Sequence, residues 1–135
     1  MLPTAISEMR FWAWGKQMTD ALKELLAKVE AGSCENDGSM HRSFGDNWTH
    51  CFDAYHGSLD AAKALHEAVL VGWTVRLNAF TPHGKSAPYV HVFKMRMKQS
   101  DPTISANSSG YQGDNPARAW LIAIIKALIA IEASE

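Results

Sequence analysis

Residues 73–98, WTVRLNAFTPHGKSAPYVHVFKMRMK, contain the pattern that decides the fold. Apolar and polar residues alternate over 73–79, and a second alternation runs from residue 89 onward. A period of two is typical of strands that have one covered face. Between the two runs, residues 81–85, TPHGK, have the composition of a turn. The stretch therefore predicts two antiparallel strands joined as a hairpin.

Two helices with one apolar face are predicted before the hairpin. The first covers residues 19–31, where leucines and a valine recur at the spacing i, i+3, i+4 and i+7. The second begins after Ser58, a favoured N-cap residue, and ends at Gly72. Each helix presents one apolar stripe, which we expect to pack against the sheet or against another helix.

The remaining connections have the composition of loops. Residues 32–47 are rich in Gly, Ser, Asn and acidic residues, and residues 100–113 contain one proline and two glycines among polar residues. Between the two helices, Trp48, His50 and Phe52 alternate with smaller side chains. That alternation predicts a short additional strand.

The C-terminal part predicts a long helix that is apolar on nearly all sides. Asn115 is a favoured cap, Pro116 suits the first helical position, and the apolar run 119–131 is interrupted by one lysine. The run is shorter than the roughly 20 apolar residues that cross a bilayer, so we expect a buried helix and no membrane partner. Such a helix must bury more than one face. We therefore expect the N-terminal segment or a second copy of the chain, in a homo-oligomer, to cover Ile122 and Ile129.

Length and composition limit the classes of function. The 135 residues suffice for one domain, which we place at 18–135 after an aromatic N-terminal extension, 1–17. With 13 Lys and Arg against 14 Asp and Glu, the formal charge is −1, which argues against bulk nucleic-acid binding and against an acidic mimic of DNA. Two cysteines are too few for a disulfide scaffold and suit a reducing compartment.

A basic group on the hairpin is the first candidate binding surface. Arg76, Lys94 and Arg96 fall on the predicted strands, with Lys94 and Arg96 continuing the side of Val90 and Val92. If these cations share a face, they form a surface for a phosphate-bearing small molecule or an acidic host protein. The alternative is a solvated face, or an edge that charge protects from pairing.

The second candidate binding surface is the N-terminal group Arg10, Phe11, Trp12 and Trp14. Trp and Arg are over-represented among the residues that carry the binding energy of protein interfaces. The alternatives are self-association and packing of this segment onto the last helix. Either of these would make the aromatic residues structural.

Catalytic and metal-binding patterns are weak throughout the sequence. Zinc sites usually show close pairs of ligands, and here the two cysteines are seventeen residues apart. The one cluster to consider is His50, Cys51 and His56, which suggests a metal- or thiol-dependent small hydrolase as an alternative function. A cysteine in a predicted strand is more often a small core residue. We therefore predict no catalytic residue, no metal and no cofactor.

Three stretches resemble the phage ABA sandwich domain, a family of small bacteriophage proteins. Residues 55–65, YHGSLDAAKAL, precede a Gly-Trp pair at 72–73 that enters a strand. Residues 115–128, NPARAWLIAIIKAL, are similar to the closing helix of the family, and residues 26–31, LAKVEA, to its opening helix. The resemblance covers residues 18–132 in the same order, and the segment before Met18 has no counterpart in it.

The resemblance implies an α+β fold in which a small antiparallel sheet is packed between helices, an α-β-α sandwich. It also implies a phage gene and, with it, the cytoplasm of an infected bacterial host. No catalytic residues are carried over from the family. We expect a non-enzymatic accessory protein that acts by binding, for instance an anti-defence protein that occupies a host protein or sequesters a small phosphate-bearing ligand.

Overall fold

The computed structural model describes residues 19–33, 38–78, 88–94, 104–109, 111 and 113–134. The predicted binding residues of the N-terminal extension lie outside these described residues, and so does one cation of the hairpin: Arg10, Phe11, Trp12, Trp14 and Arg96. The predictions made for them stay predictions.

The first helix, α1, covers residues 19–31 as predicted. The leucines and the valine of the predicted stripe are buried or half-buried. On its polar side, Lys28 Nζ donates a hydrogen bond of 2.9 Å to Ser39 Oγ. Glu30 forms an ion pair of 3.9 Å with Lys126 near the end of the chain. The helix is therefore fixed by its apolar stripe and positioned by contacts at both of its edges.

Helices occupy the region predicted to contain a loop and a short strand. In chain order the elements are α2 at Ser39–Phe44, a 3-10 turn at Gly45–Asn47 and α3 at Trp48–Tyr55. The predicted strand is wrong because Cys51, Ala54 and Tyr55 recur at helical spacing and all three are buried. The alternation that suggested a strand covers five residues, whereas the helical stripe continues to the end of α3.

The fourth helix, α4 at Leu59–Val69, begins as its sequence predicts. Ser58 Oγ accepts a hydrogen bond of 3.1 Å from the Ala61 backbone N–H, which satisfies one of the donors at the start of the helix. Gly57 has a φ of 110° and turns the chain between α3 and α4. A residue with a Cβ atom adopts that φ only with strain.

A three-stranded antiparallel sheet follows, in the order β1-β2-β3. Its strands are β1 at Trp73–Asn78, β2 at Tyr89–Lys94 and β3 at Ser105–Asn107. The antiparallel pairing of β1 and β2 confirms the two predicted strands over residues 73–78 and 89–94, and the α+β class is confirmed with it. The predicted turn at 81–85 and the strand positions 95–98 lie outside the described residues. β3 lies in the stretch predicted to be a loop, so that prediction is wrong for residues 105–107.

One buried serine adds two hydrogen bonds to the pairing of β3 with β2. The Ser108 backbone N–H donates to the Val90 carbonyl oxygen at 2.9 Å, and Ser108 Oγ accepts from the Val90 N–H at 2.9 Å. Ser108 is 2% exposed, so both hydrogen bonds are shielded from water. The pairing of β3 with β2 therefore depends on a side chain that lies just beyond the strand.

The last helix, α5 at Pro116–Ser134, lies between the sheet and the other helices. It contacts β2 and β3 on one side and α3 and α4 on another. Asn115 Oδ1 accepts from the backbone N–H groups of Ala117 and Arg118 at 3.0 and 3.2 Å, as the predicted cap requires. No helix among the described residues is long and apolar enough to span a bilayer.

The middle of α5, residues 119–125, is buried within one chain, whereas residues 128–132 are half-buried. Ile122 is 0% exposed, as are Leu121, Ile124 and Ile125. Burial of each such side chain stabilises the fold by about 1.5–3 kcal/mol. The predicted role of Ile122 in contacting a second copy is therefore corrected to a role in the core. Ile129 is half-buried, and its predicted interface role stays a prediction.

Candidate functional site

The side of the sheet that faces away from α5 carries aromatic and polar side chains. In a strand, side chains alternate between the two faces, and residues directly opposite each other in an antiparallel pair share a face. The buried residues Val90, Val92 and Ala106 lie on the face toward α5. The two registers define the opposite surface, which we name the outer sheet face: Thr74, Arg76, Asn78, Tyr89, His91, Phe93, Ser105 and Asn107.

His91 and Phe93, both on the central strand, form the middle of the outer sheet face. His91 lies opposite Arg76 of β1 and Asn107 of β3. The ring centroids of His91 and Phe93 are 5.1 Å apart, and their planes are inclined by 32°. Arg76 Cζ lies over the Phe93 ring, 5.4 Å from its centroid, which is within cation–π range. The result is a small aromatic platform with a cation at its edge.

A second aromatic ring lies at the start of the same strand. Tyr89 is 44% exposed and faces Asn78 across the β1–β2 pair. On the same face, at the edge strand β3, Asn107 Oδ1 accepts a hydrogen bond of 2.9 Å from the Ser109 backbone N–H. That bond orients the Asn107 side chain, and its amide N–H groups are donors in addition to it. The outer sheet face thus combines ring faces with amide groups.

The positive charge of the chain is concentrated in the hairpin, although the net charge hides this. Residues 73–98 contain no Asp or Glu. The same stretch contains five cationic residues: Arg76, Lys85, Lys94, Arg96 and Lys98. With a formal charge of −1 for the whole chain, the rest of the protein is acidic. Of these five residues, Arg76 lies on the outer sheet face and Lys94 on the opposite face, and Lys85, Arg96 and Lys98 lie outside the described residues.

The predicted basic surface of Arg76, Lys94 and Arg96 is corrected by the strand register. Lys94 lies opposite Trp73, on the side of the sheet that faces α5, whereas Arg76 lies opposite His91 on the outer sheet face. The two cations therefore occupy opposite faces of adjacent strands. Arg76 is the member of the predicted set that the structure places beside aromatic rings, and Arg96 lies outside the described residues.

The structure does not bring His50, Cys51 and His56 together. Cys51 is 0% exposed on the core side of α3 and forms no disulfide among the described residues. His56 is exposed at the end of the helix, with its ring 4.5 Å from the ring of Phe52. Within the described ranges, no group of three or more His, Cys, Asp or Glu residues could hold a metal ion.

A row of aromatic and histidine side chains on α2 and α3 was not predicted from the sequence. Trp48 and Phe52 have centroids 6.3 Å apart, and His41 of α2 lies 4.3 Å from Trp48. His56 continues the line beyond Phe52. The positions 48, 52 and 56 are one helical turn apart, and this spacing is visible in the sequence once the segment is read as a helix. Trp48 and Phe52 also pack against the core, so a structural role accounts for them.

A buried histidine connects three elements of the fold. His66 of α4 is 5% exposed, and its Nε2 lies 3.0 Å from the Trp73 carbonyl oxygen at the start of β1. The indole N–H of Trp120, on α5, donates to His66 Nδ1 at 3.3 Å. Because an indole N–H is only a donor, the partners assign the ring proton to Nε2. We name this arrangement the His66 junction; it fixes β1 relative to the helices.

The chain was compared with known proteins at the levels of family, sequence and structure. No family model, no curated protein and no solved structure matches it. The resemblance to the phage ABA sandwich domain therefore stays a prediction.

Proposed function

We propose that this chain acts by binding, and that its outer sheet face takes a ligand with a flat aromatic ring and a phosphate group, such as a nucleotide. The observation that carries this proposal is the position of the Arg76 guanidinium over the Phe93 ring and opposite His91. His91 and Phe93 are half-buried and Arg76 is exposed, so ring surface and a cation occur together on one face of the sheet. Stacking and phosphate binding together require that combination.

Each part of such a ligand has a matching group on the outer sheet face. The ring of the ligand stacks on His91, and on Phe93 when the Arg76 guanidinium, which lies over the Phe93 ring, turns toward the phosphate. Its phosphate pairs with Arg76, whose planar guanidinium can form two hydrogen bonds to one phosphate. The amides of Asn78 and Asn107 flank the platform and can bond to the polar edge of the ring.

The proposal is a more specific form of the phosphate-bearing ligand expected from the sequence. Sequestration of a small nucleotide is compatible with a non-enzymatic anti-defence protein of a bacteriophage, acting inside the infected host cell. The resemblance supports that setting, and the outer sheet face supports the ligand. The α-β-α sandwich of the resemblance would cover both faces of the sheet, so a covering layer on the outer face is the competing proposal.

The test is calorimetric titration of the full chain with AMP, with adenosine and with ribose 5-phosphate. We expect AMP to bind more tightly than either fragment, because stacking and phosphate pairing act together. Phe93→Leu removes the aromatic face while keeping apolar bulk, and Arg76→Gln removes the cation. Each substitution should weaken AMP binding about five-fold or more, which corresponds to roughly 1 kcal/mol.

The matched control is Lys94→Gln. It removes the same charge from the adjacent strand but on the opposite face of the sheet. We expect it to change the affinity for AMP by less than two-fold. If Lys94→Gln and Arg76→Gln weakened AMP binding equally, AMP would be attracted by charge alone and not bound at the outer sheet face. If AMP did not bind at millimolar concentration, the proposal would be overturned.

A further inference from the structure

We infer that the natural ligand of the outer sheet face is a short single-stranded nucleic acid rather than a mononucleotide. This inference rests on the proposed function and names the class of ligand for the same site. It is carried by a row of three rings on the central strand, which we divide into two platforms: Tyr89, and the contacting pair His91 and Phe93.

The row of rings is longer than a single base can cover. Same-face neighbours in a strand are two residues apart, so Tyr89 is about 7 Å from His91 and about 13 Å from Phe93 at the usual rise per residue. A mononucleotide has one base and occupies one platform. Two linked nucleotides can place one base on each. Sheets that bind single-stranded RNA use central-strand rings in this way, stacking two or three bases.

Each of the two ring platforms on the outer sheet face has an asparagine amide beside it. Asn78 is the cross-strand neighbour of Tyr89, and Asn107 is the cross-strand neighbour of His91. Each platform therefore has its own amide within reach of a stacked base. The hydrogen bond from the Ser109 N–H to Asn107 Oδ1 orients that amide, so that its N–H groups serve as donors to a base edge.

The rings select a single strand over a duplex. Stacking requires the flat face of a base, and in a duplex those faces are covered by the neighbouring base pairs. The charge distribution also limits the length of the nucleic acid that the site can bind. Arg76 is the one cation among the residues that define the outer sheet face, and phosphates beyond it meet a chain whose formal net charge is −1. The site is therefore expected to accept a few nucleotides and not a long polymer.

The test is fluorescence anisotropy of the full chain with labelled oligothymidylates of two, four, eight and twelve nucleotides, and with thymidine monophosphate as competitor. We expect at least a ten-fold higher affinity for the tetranucleotide than for the monophosphate, with little further gain at greater length. A duplex of twelve base pairs should bind at least ten-fold more weakly than the single strand of the same length.

One pair of variants separates the two platforms. Tyr89→Ala should weaken tetranucleotide binding roughly five-fold or more while leaving the monophosphate unaffected, because the single base occupies the His91–Phe93 platform. Phe93→Leu should weaken both ligands. Leu77→Ala is the control for Tyr89→Ala, since the two residues are similarly exposed, at 40% and 44%, and lie on opposite faces. Thermal unfolding of each variant checks that the fold is retained.

The outcomes distinguish this inference from the proposed function. Equal affinities for the monophosphate and the tetranucleotide would overturn the single-strand inference and leave nucleotide binding intact. Equal binding of duplex and single strand would also overturn it, because it would show that phosphates are bound without stacking. Failure of every ligand to bind would overturn both proposals.

Discussion

The His66 junction provides the sharpest test of the fold that supports the site. His66→Leu keeps the approximate volume of the side chain but removes both ring nitrogens. The Trp120 indole N–H and the Trp73 carbonyl oxygen would then lack the partners at 3.3 and 3.0 Å that they have in the native chain. The two groups lie in a region where His66 and Trp120 are 5% and 8% exposed, so water replaces those hydrogen bonds poorly.

The expected cost follows from these contacts. Leaving a buried polar group unsatisfied costs about 1–3 kcal/mol, and the two groups together outweigh the gain from burying leucine. The edge-on contact of the His66 and Trp120 rings, with centroids 5.7 Å apart, is also lost and contributes about 0.5–1.5 kcal/mol. We expect the free energy of unfolding to fall by about 2–4 kcal/mol, a large part of the stability typical of a domain of this size.

Urea unfolding at constant pH, followed by far-UV circular dichroism, measures this change. His66→Gln is the rescue variant, because an amide can accept from the indole and donate to the carbonyl oxygen, and we expect it to lose about 1 kcal/mol. Glu67→Leu, at the next and exposed position of α4, is the control and should stay within about 0.5 kcal/mol of the native chain. The assigned hydrogen bonds are refuted if His66→Gln is as destabilising as His66→Leu.

Further predictions concern α5 and its surroundings. Ile122→Ala should lower the free energy of unfolding by about 2–5 kcal/mol at any protein concentration, because its side chain is buried within one chain; a concentration-dependent loss in urea unfolding would instead indicate an interface. Ile129→Glu should lower the molar mass seen by light scattering if the predicted interface exists, and an unchanged mass would remove that prediction. Asn115→Ala should cost about 1 kcal/mol in thermal unfolding, because two backbone donors lose their acceptor. Gly57→Ala should cost about 1–3 kcal/mol in the same assay, because of the φ of 110°, and an unaffected midpoint would contradict the strain.

Elements with a local signal at their ends could be predicted from the sequence. Ser58 and Asn115 are cap residues, and the structure shows each accepting the backbone hydrogen bonds that define a helix start. The hairpin likewise follows from alternation on both sides of a turn. In these cases, the interactions that decide the structure lie within a few residues of one another.

Elements that depend on distant partners could not be predicted in the same way. β3 consists of three small residues, Ser105–Asn107, and its pairing depends on hydrogen bonds between Ser108 and Val90, eighteen residues away. The cover of α5 was also ambiguous, because an apolar face is buried equally well by a helix of the same chain or by a second copy. In the structure α5 packs against α3 and α4 as well as against the sheet, and α3 lies where the sequence had suggested a strand.

Part of the candidate site could be predicted from the sequence, because odd- and even-numbered residues of a strand lie on opposite faces. Val92 is buried against α5, and Lys94, two positions later, must share its side of the strand. Tyr89 and Phe93 have the opposite parity and lie on the face where an ordinary surface strand would carry small polar or charged side chains. Alternation alone therefore separates Lys94 from the aromatic residues, but it does not reveal which side α5 covers. Once that is known, the rings beside Arg76 are placed on the face away from α5, and the proposed nucleotide site is the role that we assign to them.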